Sequence, residues 1–526
     1  MTMKTLGDIT RYQREKRPES VAIIDPAGNR EWSFRDLDDE SCRVAHALKE
    51  MGVGPQDRVA YLDKNLPEYF SFLFGSAKLN AVTVAINWRL AAGEIEYILT
   101  HSQAMVLLIG EALVPLLDQM KLNFDNVIVL GDPGSSTYPS YTQWIQSQPD
   151  SDLVCPANPQ DTCMQLYTSG TTGFPKGVET THLNMISMLE HSVEALDFSD
   201  AAVSLVCMPL FHIAGTAWGL IGLFDGATGV LLKEPDMQEI LRVIPAHKIT
   251  HTLFVPAVLQ FLLAQPNVGE VDFGSLQAIV YGASPITESV LVKSIETFDA
   301  DFHGVYGLTE TSGGITRLSP SDHDPGGPRS RFLHSCGKAA NGHEVMIVDT
   351  ESGAEVSPGK AGEIWVRGPQ VMRGYWQDPE ATRAVIDEDG WFKTGDVGYI
   401  DEGYIFIHDR IKDMIISGAE NIYPSEVENA LMRHPGIADV AVIGVPDENW
   451  GEAVKAIVCR SDLKLSEADV INYCRDQIAH FKCPRSIEWI ETLPRNQSGK
   501  VLKTKLREAY GQPQDSKSVE QDLETV

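Results

Sequence analysis

Strand-length apolar runs alternate with helix-length segments over most of this chain, and that alternation limits its fold more than any other feature. RVAYLDKN (58–65) runs into LPEYFSFLFGSAKLNAV (66–82), which reads as a strand followed by an amphipathic helix. VTVAINWRL (82–90), MVLLIG (105–110) and NVIVLGD (126–132) are further short strands, and LFVPAVLQFLLAQ (253–265) and LQAIVYGASP (276–285) continue the series. Such alternation predicts an α/β core of parallel-sheet subdomains, because crossover helices cover both faces of the sheet. After about residue 340 the texture changes. HEVMIVD (343–349), GEIWVRG (362–368) and GYIFIHD (403–409) are short strands separated by Gly, Asp and Pro turns, which predicts a small antiparallel, barrel-like layer. From Ile411 a helix (YPSEVENALMRHPG), two strands (VAVIGVPD, EAVKAIVCR) and a second helix (SEADVINYCRDQI) predict a small α+β domain. The expected division is a large N-terminal domain over 1–410, a small C-terminal domain over 411–510, and a polar acidic tail over 511–526 that is expected to be disordered.

The 526 residues include 73 acidic and 43 basic side chains, for a net charge of −30. That field repels nucleic acid and anionic lipid, so neither is expected as a partner, and any anionic substrate needs local Lys or Arg against the background. Cys42, Cys155, Cys163, Cys207, Cys336, Cys459, Cys474 and Cys483 form no C-x-x-C pair and no cluster at zinc spacing. They read as reduced thiols of a cytoplasmic protein. The N-terminus has no apolar run of the secretory kind. From Ala201 to Phe224 the only basic side chain is His212 and there is no acidic one, a length sufficient for a membrane span. Pro209, His212, Gly215, Gly219 and Gly222 inside it, with Asp200 and Asp225 at its ends, favour a buried strand–turn–helix instead.

The segment Tyr167-Thr168-Ser169-Gly170-Thr171-Thr172-Gly173-Phe174-Pro175-Lys176-Gly177 carries the clearest chemistry. Glycines let backbone N–H groups converge on phosphate oxygens, hydroxyls add donors, and Lys176 adds a point charge. It is not the G-x-x-x-x-G-K-[S/T] loop of kinases and ATPases, because Gly170 to Gly173 is too short and a Gly follows the Lys.

This segment resembles the phosphate loop of the adenylate-forming superfamily, which holds acyl-CoA synthetases, firefly luciferase and the adenylation domains of peptide synthetases. Further motifs of that superfamily appear in its order from about residue 5 to 508. Val305-Tyr306-Gly307-Leu308-Thr309-Glu310 resembles the second nucleotide motif, in which Thr309 would reach the α-phosphate and Glu310 would hold Mg²⁺. Gly282-Ala283-Ser284 is similar to the adenine-side strand end, and Asp396 with Arg410 to the ribose pair. Lys412, in DRIKD, matches the hinge on which a C-terminal domain pivots. Lys500, in PRNQSGK, matches the catalytic lysine that bridges the carboxylate and the α-phosphate. Ser417-Gly418-Ala419-Glu420-Asn421 resembles the loop that faces coenzyme A in the second half-reaction, and Trp450-Gly451-Glu452 a C-domain feature expected to be structural.

The resemblance implies ATP, Mg²⁺ and coenzyme A as the small-molecule complement of a carboxylic acid, admits a homodimer, and makes the activity an AMP-forming acyl-CoA synthetase. Phe211-His212-Ile213-Ala214 resembles the acyl-side motif of fatty-acyl and luciferase-type members, whereas amino-acid-activating relatives place an Asp at the second position. With Trp218, Gly313 and Gly314 it implies a hydrophobic acyl pocket for a medium- or long-chain fatty acid, with an aryl acid second. His212 is expected to act as a packed aromatic gate. The rival acceptor is a carrier protein supplied in trans, because too few residues follow Lys500 to hold a carrier domain.

Overall fold

The computed structural model describes residues 3–122, 124–134, 136–153, 155–168, 175–199, 201–417, 420–447, 450–495 and 501–511. The chain forms two compact units. The first comprises Met1–Ala283, Val290–Val345 and Val366–Phe392, and the second Ser284–Ser289, Met346–Trp365 and Lys393–Val526.

Two sheets organise the first unit. One has the order Gly374–Tyr375, Lys176–Thr181, Thr162–Thr168, Val82–Ala85, Arg58–Leu62, Val106–Gly110, Val127–Leu130. Its last five strands run parallel, as the strand–helix alternation predicts. The other has the order Lys338–Ala339, Gly313–Leu318, Asp301–Leu308, Ala278–Gly282, His251–Phe254, Val203–Val206, Thr228–Leu231, Val21–Asp25, Arg30–Ser33. A shared core that includes Tyr61, Phe70, Phe72, Phe74, Leu166, Leu189, Trp218 and Leu220 joins the two.

Residues 66–82 differ from the amphipathic helix expected there. The helix spans Pro67–Lys78, every residue of it is buried, and a strand begins at Val82. Asn80 adopts a positive φ of 58°, which stops the helix. Two of its buried polar groups are paired: Lys78 Nζ bonds Asp38 Oδ1 at 2.7 Å, and Ser76 Oγ bonds the Phe72 carbonyl. The apolar stretch 201–224 is a strand (Val203–Val206), a loop and a helix (Ile213–Asp225), and among the described residues no helix is long and apolar enough to cross a membrane. The eight cysteines form no disulfide.

A four-stranded sheet of order Glu344–Val348, Gly362–Arg367, Phe392–Asp401, Tyr404–Arg410, most of it in the second unit, is the layer predicted from the short close-spaced strands. The second unit also holds the α+β segment, where Pro424–Leu431 and Glu467–Gln477 are helices and Ile437–Asp447 pairs antiparallel with Gly451–Arg460. Val427, Leu431, Val442, Val454, Val458 and Val470 form its core. Of the expected tail, 511–526, all but Gly511 lies outside the described residues.

Candidate active site

In the nine-stranded sheet, Val203–Val206, His251–Phe254, Ala278–Gly282 and Asp301–Leu308 run parallel and so end on one edge. Strand order reverses between the first two of these, because Thr228–Leu231 joins one side of Val203–Val206 and His251–Phe254 the other. Ligands of open α/β sheets bind outside the carboxyl ends of strands at such a reversal. His212 lies shortly after the first strand. Gly282 ends the third, and Ala283 follows it with a positive φ of 67°, an uncommon backbone state for a residue with a side chain. Thr309 and Glu310 open a 3-10 turn at the end of the fourth. Gly307 is required there, because a Cβ would lie 1.8 Å from the Gly313 carbonyl oxygen.

The candidate phosphate loop closes a hairpin. Thr162–Thr168 pairs antiparallel with Lys176–Thr181, with Thr168 opposite Lys176. Ser169, Gly170, Thr171, Thr172 and Gly173 lie outside the described residues, but both ends of the loop are fixed. Tyr167 OH shares a 2.8 Å hydrogen bond with His101 Nδ1, and Tyr97 OH donates to the Pro175 carbonyl at 3.2 Å. Beneath the hairpin, buried Arg58 pairs with Glu179 at 3.0 Å and stacks on Trp376, whose backbone N–H bonds the Gly177 carbonyl.

The loop lysine and the proposed metal carboxylate meet at a residue without a sequence signature. Tyr375 OH donates to Glu310 Oε1 at 3.0 Å, and Lys176 Nζ lies 4.8 Å from the centre of the Tyr375 ring. The Met372 N–H holds the Glu310 carbonyl at 2.8 Å. Arg373-Gly-Tyr-Trp offered only a glycine–aromatic turn to sequence reading, and its value appears once Tyr375 pairs with Val178 beside the hairpin.

Where the acyl group is expected, His212 occupies the N-cap position of the helix Ile213–Asp225, and its ring packs 4.7 Å from that of Phe211. Burial, with Arg89 nearby, pushes its pKa down to about 4. It is therefore neutral in the folded protein near pH 7 and does not change charge there. Replacing His212 with Asn is expected to change the adenylation rate by a factor that stays constant between about pH 5.5 and 8. A wild-type-to-variant ratio that bends near the ordinary histidine pKa of about 6.5 would restore an acid–base role.

Asn65, also missed from sequence, fixes the approach to His212. Its Nδ2 donates to the carbonyls of Met208 and Leu232, both at 3.0 Å, and its Oδ1 accepts from Leu210 N–H at 2.9 Å. Thr216 Oγ1 then holds the Leu210 carbonyl and shares a 2.8 Å bond with Tyr69 OH. Gly215 admits no Cβ, which would lie 2.1 Å from the Pro209 carbonyl oxygen. Trp218 is core, 2% exposed, with its indole N–H bonded to Leu205 O. The space at Gly313 opens on Met188, and Gly314 packs on Val305.

In the second unit, Asp396 and Arg410 are cross-strand partners and form a 3.1 Å ion pair. Lys412 lies in a 3-10 turn, Ile411–Asp413. The Asp409 carboxylate just before it accepts from the N–H groups of Arg410 and Ser425 and pairs with Lys503 at 3.5 Å, while Arg507 holds Asp413 at 2.9 Å. His408 stacks on Tyr423, 4.5 Å between ring centres. Ser417 and Glu420 end the paired strands Ile415–Ser417 and Glu420–Ile422, with Gly418 and Ala419 outside the described residues. Lys500 is also outside them, in a segment flanked by the paired Arg495 and Val501. Glu452 accepts the Ile416 N–H at 2.8 Å, and Trp450 is 47% exposed.

A family model described as AMP-binding enzyme matches residues 10–376, and one described as AMP-binding enzyme C-terminal domain matches residues 426–500. The chain belongs to the AMP-binding enzyme family, within the adenylate-forming superfamily, and is an ATP-dependent acid–thiol ligase. It is 38% identical over 516 residues to the fatty acid–[acyl-carrier-protein] ligase ScoC of Streptomyces coeruleorubidus, covering 97% of each chain. It is 34% identical over 517 residues to the long-chain-fatty-acid–CoA ligase FadD13 of Mycobacterium tuberculosis, covering 97% of this chain and 99% of that one. The crystal structure of ATP-bound MatB from Rhodopseudomonas palustris is similar with a TM-score of 0.89 at 29% identity, covering 97% of this chain and 99% of that chain.

Proposed function

We propose that this ligase activates a hydrophobic carboxylic acid, a medium- or long-chain fatty acid, as an acyl-adenylate and transfers the acyl group to coenzyme A. The observation that carries the reading is the Glu310–Tyr375–Lys176 assembly beside the hairpin loop, which puts one cation and one held carboxylate at the carboxyl edge. A lone carboxylate suits Mg²⁺, which is commonly held by one or two carboxylates together with substrate phosphates. Among the described residues no group of three or more His, Cys, Asp or Glu forms a dedicated metal cage. Bound there, Mg²⁺ would neutralise phosphate charge and orient the triphosphate.

The protein's own residues then divide the work. Lys176 and the loop donors hold phosphate oxygens, Thr309 reaches the α-phosphate, and Asp396 accepts from the ribose hydroxyls, with Arg410 holding its carboxylate. Lys500 stabilises the charge that builds as the acid attacks the α-phosphorus. A neutral His212 with Arg89 nearby offers no anion to a substrate ammonium, which disfavours an amino acid and suits an uncharged acyl chain.

For the acceptor, exposed Trp450, with the Arg485 guanidinium 4.9 Å from its ring, offers a platform on which the adenine of coenzyme A can stack. Stacking of this kind contributes about 1–3 kcal/mol. Trp450→Ala is therefore expected to raise the KM for coenzyme A by about tenfold while pyrophosphate release in its absence is unchanged. An unchanged KM removes that platform.

The whole reading is tested by incubating the enzyme with ATP, a panel of fatty and aryl acids, and coenzyme A. AMP, pyrophosphate and acyl-CoA are the expected products, with turnover rising along the aliphatic series. ADP in place of AMP would refute adenylation. AMP that accumulates only with a carrier protein present would replace coenzyme A as acceptor, and preference for aryl acids would replace the acyl chain.

A further inference from the structure

We propose that Tyr375 is the positioning residue that couples the phosphate loop to the metal carboxylate, so that Lys176 and Glu310 are set as one unit. The inference rests on the nucleotide reading of this site and goes beyond it by assigning a role to a residue outside the motifs.

Tyr375 touches both charged groups through different parts of its side chain. Its hydroxyl donates to Glu310 Oε1 at 3.0 Å, and its ring faces Lys176 Nζ at 4.8 Å. A hydrogen bond fixes which way a carboxylate points, and a cation near an aromatic ring is attracted by the ring quadrupole. The tyrosine is itself held firmly. Its N–H donates to Thr382 Oγ1 at 2.9 Å, and Gly374 and Tyr375 pair antiparallel with Glu179 and Val178 of the hairpin's second strand. On either side, Met372 N–H bonds the Glu310 carbonyl and Trp376 N–H bonds the Gly177 carbonyl. The segment 372–376 is therefore anchored to the lysine-bearing strand and to the glutamate-bearing turn.

The arrangement has a chemical use. A carboxylate that must receive a metal carried in by a nucleotide gains from having one oxygen engaged beforehand, because the other is then presented in a fixed direction. The phenol supplies that engagement without adding charge. Because the same ring lies beside Lys176, the distance between the cation and the metal carboxylate is set before ATP arrives.

Two substitutions separate the two contacts. Tyr375→Phe removes only the hydroxyl, and Tyr375→Ala removes the ring as well. ATP binding is measured by calorimetric titration over a range of Mg²⁺ concentrations, without acid or coenzyme A, alongside the unfolding temperature. For Tyr375→Phe the Mg²⁺ concentration giving half-maximal enhancement of ATP binding is expected to rise about tenfold, the scale of one hydrogen bond to a charged group, a larger change than in metal-free ATP binding. Tyr375→Ala is expected to weaken ATP binding with and without Mg²⁺. Superimposable Mg²⁺ curves for wild type and Tyr375→Phe would overturn the proposal, and so would a lowered unfolding temperature with no change in those curves. If the wild-type protein itself binds ATP with no dependence on Mg²⁺, the nucleotide reading fails and the proposal falls with it.

Discussion

Lys500→Ala is expected to slow acyl-adenylate formation by about 10²–10³-fold, the scale seen when one preorganised donor to a developing oxyanion is removed. Thioester formation from supplied acyl-adenylate is expected to stay within a few-fold of wild type. The first half-reaction brings a carboxylate anion against a triphosphate in a protein whose net charge is −30, so repulsion is the main barrier to approach. On the role proposed for Lys500, a cation bridging the two lowers that barrier without moving a proton. In the second half-reaction the triphosphate is gone and the attacking group is a thiol, so the same cation has no charge of that kind to screen. The segment around Lys500 is pinned at its base, where Arg495 pairs with Val501 and Leu502 N–H bonds the Pro494 carbonyl at 2.8 Å. Pyrophosphate release and coenzyme A acylation, followed in separate single-turnover experiments, check the expectation. Equal losses in both would contradict a lysine that serves one step.

The second large effect is expected at Lys412. Proline there fixes φ near −65° and deletes an N–H, at about 3 kcal/mol or more wherever the backbone must adopt another conformation. If Lys412 is the pivot between two working arrangements, Lys412→Pro is expected to slow one half-reaction by about a hundredfold and leave the other nearly intact. The contacts around this turn show what a rotation must release. Asp409 is shared by the Arg410 and Ser425 N–H groups and by Lys503, and His408 stacks on Tyr423. All but the first join residues before the turn to residues after it. The same pair of single-turnover measurements applies, and unchanged rates in both would remove the hinge assignment.

Much of this could be read from the residues in order. The parallel sheets follow from strands such as MVLLIG, apolar on both faces because helices cover both, and the loop at 167–177 announces itself by its glycines, hydroxyls and single lysine. The helix at 67–78 was misjudged because Glu68, Ser71, Ser76 and Lys78 look like a solvent face, whereas all four are buried. Only a partner distant in sequence, Asp38 for Lys78, explains why a charge can sit there. Tyr375 and Asn65 were invisible for a related reason. Each acts through residues more than sixty positions away, on Glu310 and on Met208–Leu210, and neither belongs to a local pattern. The resemblance of Trp450-Gly451-Glu452 to a C-domain feature says nothing of the exposure of Trp450, which is 47%.

The three hydrogen bonds of the Asn65 side chain bear on how this enzyme can be given a new substrate. The stretch before His212 is shaped by an amide in the loop that follows Arg58–Leu62, a strand of the other sheet, so, if this stretch lines the proposed acyl pocket, transplanting residues 203–216 from a relative would import it without its external brace. An exchange that carries position 65 along with the stretch is the one expected to transfer preference for the acid intact.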